Sequence, residues 1–87
     1  MEYNKHFINL GNNVKKYRLQ KGYTQEEFAE KINKTVNYVS LLENAHMGIT
    51  VYTLIEIAEA LGLPPAKLLE PCEKISGRIK NYKKVTH

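Results

Sequence analysis

Apolar residues along this 87-residue chain recur at three- and four-residue steps, separated by polar breaks, and each run predicts one helix. Phe7, Leu10, Val14 and Tyr17 make the first stripe, over about Phe7 to Lys21. Phe28, Ala29 and Ile32 make a second, over Gln25 to Ile32, and Val39 with Leu42 a third, over Val36 to Asn44. Leu54, Ile57, Ala58 and Leu61 form a fourth, over Val51 to Leu61, which leaves Tyr52 and Ile55 toward its edge. Ala66, Leu68 and Leu69 follow Pro64-Pro65 and predict a short fifth helix, since Pro at a helix start gives up no needed hydrogen bond. The pattern is that of an all-α chain of five helices.

The breaks carry their own signals. Thr24 and Glu27 have the spacing of a capping box, in which the hydroxyl accepts from the Glu27 N–H and the carboxylate accepts from the Thr24 N–H. Thr35 can cap the third helix, although Tyr38 cannot complete a box, and Thr50 can cap the fourth. Met1 to His6 reads as a frayed lead-in, with Asn4 placed to cap the first helix. Gly22 and Gly62 stand where left-handed backbone ends a helix. Gly11, inside the first stripe, costs about 1 kcal/mol against Ala and implies a closely packed neighbour. The corner between the second and third helices holds only Asn33 and Lys34, and Asn is the non-Gly residue best suited to positive φ there.

Taken from Gln25 onward, this stretch resembles the bihelical unit of the Cro and phage-repressor-like, or xenobiotic-response-element-like (XRE), helix-turn-helix family of bacterial regulators. Gln25 opens the first helix of the unit, Ala29 is the small residue at the crossing, Val39 and Leu42 are the buried pair of the second, and Glu43-Asn44 closes it. Asn33 and Ala45 depart from the family, which commonly has Gly at both places. The likeness runs from about Leu10 to Leu69. It implies a compact five-helix, lambda-repressor-like DNA-binding domain over residues 1–70. The guanidinium fork of Arg18 suits phosphate, but the resemblance implies instead a structural ion pair with Glu43.

With Val39 and Leu42 inward, the third helix leaves Thr35, Val36, Asn37, Ser40 and Leu41 outward, with Tyr38 at an edge. An α-helix fits the DNA major groove, where Asn can bond adenine bidentately, hydroxyls several bases, and Val or Leu a thymine methyl. By itself this face suits a protein contact equally well; with the bihelical resemblance it reads as the base-contacting surface. The family often uses the residue at Gln25 to bond a DNA phosphate, beside the open N–H groups of a helix start. Among Lys15, Lys16 and Lys34, Lys34 is the further candidate for the DNA backbone.

Charge changes this picture less than the overall +4 suggests. Residues 1–72 hold eight Lys or Arg and eight Glu, a net of zero, whereas residues 73–87 hold five against one, so the excess is all in the tail. That tail, 71–87, carries Ile75, Ile79 and Tyr82 at helical spacing, interrupted by Gly77, and three roles compete for it: disorder, a dimerisation arm, or added phosphate contacts. A single cysteine, Cys72, excludes an intrachain disulfide, and a lone His46 in the loop after the third helix is neither a metal site nor a base. With no Asp, no Gly-rich phosphate loop and no signal or membrane stretch, the chain reads as a cytoplasmic non-enzyme that needs no cofactor. The expectation is a sequence-specific regulator, a repressor, that binds double-stranded DNA at a palindromic operator as a homodimer through helices 4 and 5 or the tail. The alternative is an antitoxin or other protein-interaction module on the same fold.

Overall fold

A computed structural model describes residues 4–71. The apolar stripes become four α-helices, α1 Lys5–Gln20, α2 Gln25–Lys31, α3 Val36–Glu43 and α4 Val51–Leu61, followed by a single 3-10 turn, Pro65–Leu68. The expected fifth helix is therefore corrected to that turn. Pro64 and Pro65 supply no backbone N–H, and the turn closes after four residues with the Leu69 N–H on the Ala66 carbonyl at 3.0 Å. Beyond Pro71 the tail, and with it the roles expected of it, lies outside the described residues.

Each α-helix starts where a polar side chain accepts its first N–H groups. Asn4 Oδ1 accepts from the N–H of His6 at 2.8 Å and of Phe7 at 3.3 Å. This cap draws Lys5 and His6 into α1, two residues ahead of the expected start, so they are not a frayed lead-in. The Thr24–Glu27 box is present in both directions, at 3.0 and 2.9 Å. Thr35 Oγ1 accepts from the Tyr38 N–H at 3.0 Å, and Thr50 Oγ1 from the Thr53 N–H at 3.1 Å. Asn33 turns the α2–α3 corner at φ +59°, and the Lys34 N–H returns to the Ala29 carbonyl at 2.8 Å.

One core joins all the elements. Val14 of α1, Phe28 of α2, Val39 and Leu42 of α3, Ile57, Ala58 and Leu61 of α4 and Leu68 of the turn are all sealed from solvent. Fully burying one such Val, Leu, Ile or Phe is worth roughly 1.5–3 kcal/mol, and no helix of seven to sixteen residues would persist alone without it. Gly11 marks the tightest approach: a Cβ there would collide with the Leu42 carbonyl oxygen and stand 3.1 Å from that of Glu43. The first helix thus lies directly on the C-terminal end of α3.

Candidate nucleic-acid interface

The inward side of α3 is held by charge as well as by packing. Arg18 Nε donates to Glu43 Oε2 at 2.7 Å and Nη2 donates to Oε1 at 3.1 Å, a two-pronged pair with both side chains buried. Arg18 Nη1 donates to the Tyr23 carbonyl at 2.7 Å, while the Tyr23 N–H donates to the Arg18 carbonyl at 3.1 Å. One guanidinium therefore ties the end of α1 to the loop before α2 and to the end of α3. The fork geometry matches a carboxylate in a way that a lysine could not. No buried side-chain nitrogen or oxygen among the described residues is left without a hydrogen-bond partner.

Gln25 joins this network. Its Nε2 donates to Glu43 Oε1 at 3.1 Å, and the residue is half-buried rather than projecting freely from the start of α2. Lys34 is exposed, with its Nζ 5.1 Å from the centre of the Tyr38 ring. Tyr38 is half-buried between α3 and α4; burial raises its phenol above the ordinary 10.0, against the lowering effect of a hydrogen bond with Thr53 and with the Glu56 carboxylate adding to the rise. It is a neutral edge residue at any physiological pH.

The outward side is open. Thr35 and Asn37 are exposed, and Val36 and Leu41 keep 42% and 37% of their surface. Ser40 is half-buried, and Asn44 Nδ2 donates to its carbonyl at 2.8 Å and approaches its hydroxyl at 3.4 Å. Thr35 lends its oxygen to the helix cap, which leaves the hydroxyl hydrogen to a ligand. So four of the five outward residues stand clear on one helix surface, and Ser40 sits at its border. No group of three or more His, Cys, Asp or Glu side chains among the described residues is arranged to hold a metal ion.

Comparison with known proteins shows the family. The helix-turn-helix model HTH_3 matches residues 14–68, which takes in everything from the middle of α1 to the final turn. The chain belongs to the HTH_3 helix-turn-helix family, the XRE and Cro-like type. Its relatives include proteins described as transcriptional regulators. One is an uncharacterised HTH-type transcriptional regulator, y4dJ, of Sinorhizobium fredii, 37% identical over 65 residues that cover 75% of this chain and 84% of that one. Another is the control protein C.MunI of a Mycoplasma species, 34% identical over 77% of this chain and 92% of its own length. Among solved structures, the biofilm master regulator SinR, captured in complex with DNA, superposes with a TM-score of 0.67 at 29% identity, over 70% of this chain and 98% of that one. The matched residues contain the whole of α2, α3 and the corner between them.

Two long-range tertiary contacts had little or no signal in the helical pattern. Asn13 is buried on α1 and its Nδ2 donates to the carbonyls of Leu68 at 2.9 Å and Glu70 at 2.7 Å. Asn9, one turn earlier, donates to those of Leu69 at 3.3 Å and Glu70 at 2.9 Å. Together they satisfy the carbonyls at the end of the 3-10 turn and fix where the chain leaves the domain. An asparagine in an otherwise apolar helical stripe is the one trace of this in the sequence. The other is the Gln25–Glu43 bond, which spans 18 residues and has no local signature.

Proposed function

We propose that the protein is a sequence-specific DNA-binding transcriptional regulator, a cytoplasmic repressor, that places α3 in the major groove of a palindromic operator as a homodimer. The observation that carries the reading is the division of α3 into a locked side and an open side. Val39, Leu42 and Glu43 are buried, while Thr35, Val36, Asn37 and Leu41 present hydrogen-bonding and methyl-contacting groups on a helix whose orientation the core has set. Thr35, Val36, Asn37, Ser40 and Leu41 contact bases in this reading, and Gln25 and Lys34 contact phosphates. SinR, which superposes on this chain, has been solved on DNA.

A pairing surface is available on α4. Val51 and Tyr52 keep 72% and 71% of their surface, and Ile55, one turn on, is also exposed. A single reader helix covers a few base pairs, so two-fold pairing through this strip is the economical route to a longer site. Selection of bound duplexes from random sequence tests the whole reading at once. A recovered palindrome supports it and gives the half-site spacing; an absence of sequence-dependent binding at low salt removes it.

A further inference from the structure

Glu43 has more to do than neutralise Arg18. Its Oε1 is shared by two donors, Arg18 Nη2 and Gln25 Nε2, each at 3.1 Å. A carboxylate only accepts hydrogen bonds, so the end of the Gln25 amide that faces Glu43 is the NH2 group. One amide hydrogen is spent on the carboxylate and the second is left for an outside acceptor. The amide is planar, so tying one hydrogen to a buried and immobile anion fixes the direction of the other. An untethered glutamine could equally turn its oxygen outward, which a phosphate would repel.

From this we infer that Glu43 is a positioning residue for DNA-backbone contact. Through the Gln25 amide it aims one N–H at a phosphate, and it holds that aim because Arg18 holds Glu43. The inference rests on the DNA-binding reading above. It also makes a neutral contact of Gln25, so the contact adds affinity without releasing a counterion. Arg18 is then linked to the DNA backbone through two intervening side chains while touching no nucleic acid itself.

The test is a double-mutant cycle on the full chain, with the operator duplex recovered by selection as probe. In the native background, Gln25→Ala is expected to weaken binding about tenfold, the worth of one hydrogen bond to a charged group, with the slope of log affinity against log salt unchanged. In the paired Arg18→Met, Glu43→Leu background, which removes the anchor without leaving a buried charge unpaired, binding is expected to be weaker from the start. There, adding Gln25→Ala should cost less than about twofold, since the cycle isolates the coupling between neighbours. Thermal melts accompany each variant, because a merely structural role would move the melts and leave the cost of Gln25→Ala the same in both backgrounds. Equal losses in the two backgrounds, or no loss in the native one, overturn the inference while the DNA-binding reading stands. If selection recovers no duplex, that reading falls first and this one with it.

Should the paired background not fold, the unaltered chain decides. Solvent exchange of the Gln25 side-chain amide in the DNA complex is compared by NMR with that of Gln20, an exposed glutamine in the last turn of α1. Slower exchange at both Gln25 hydrogens supports the inference, and exchange as fast as that of Gln20 overturns it.

Discussion

The two sides of α3 obey different rules although they share eight residues. On the inner side, Val39 and Leu42 are sealed in the core, Glu43 is gripped by Arg18, and the Leu42 carbonyl lies so close to Gly11 that no side chain fits between. On the outer side, Thr35, Val36, Asn37 and Leu41 are exposed. The inner side can be changed only at the cost of the fold, whereas the outer side, apart from the Thr35 cap, can be rewritten with little effect on it. The difference teaches how one short helix can divide its work: in the proposed reading, stability falls to the buried face and recognition to the open one.

The sharpest way to break this contrast is at the ion pair. Arg18→Met or Glu43→Leu alone should destabilise by about 3–5 kcal/mol, because each strands a buried charge, while the two together should fold within roughly 1 kcal/mol of the native chain. Chemical denaturation of the three variants checks this, and equal losses in single and double variants would place the effect in packing instead. Next in size is Gly11→Ala. Its methyl meets backbone rather than a flexible side chain, so α1 and α3 must move apart, at about 2–3 kcal/mol by the scale of overpacked cores. A melt as high as the native one would show that the contact is looser than its geometry.

The outer side should respond in the opposite sense. Asn37→Ala is expected to leave the melt within about 0.5 kcal/mol and to relax discrimination at one operator base pair by about 1–3 kcal/mol. Matched denaturation and DNA-shift titrations separate the two quantities. A destabilised variant with intact discrimination would invert the assignment of faces. The smallest effect belongs to Ala45, just beyond α3, which sits at φ +65°. Ala45→Gly relieves a left-handed strain of about 1–2 kcal/mol but gives back about 0.4–1 kcal/mol through the looser unfolded chain. A net gain of a few tenths is expected, read as a small upward shift of the denaturation midpoint; a clear loss would mean that the buried Ala45 methyl outweighs the strain.

Legibility in the sequence tracks the range of the interactions. The caps at Thr24, Thr35 and Thr50 join residues three apart, and all three are present as the spacing foretold. The Asn33 corner is equally local, a matter of one residue's φ. Helical periodicity sufficed for Val39 and Leu42, because a two-residue stripe on so short a helix has only one way to face the core. The fifth helix failed for the complementary reason: apolar spacing alone cannot tell one 3-10 turn from an α-helix when only four residues are involved.

By itself, then, the sequence determined where α2, α3 and α4 begin, how the α2–α3 corner turns and which α3 residues are apolar enough to be buried, since each depends on residues within about one turn of one another. The family resemblance added the Arg18–Glu43 pairing. Only the tertiary structure decided that Gln25 shares the Glu43 carboxylate, that Asn9 and Asn13 clamp the chain at Leu68 to Glu70, and that Gly11 admits the backbone of α3. Those arrangements join positions from 18 to 61 residues apart. No local pattern encodes them, because the geometry that brings such groups together exists only once the shared core has formed.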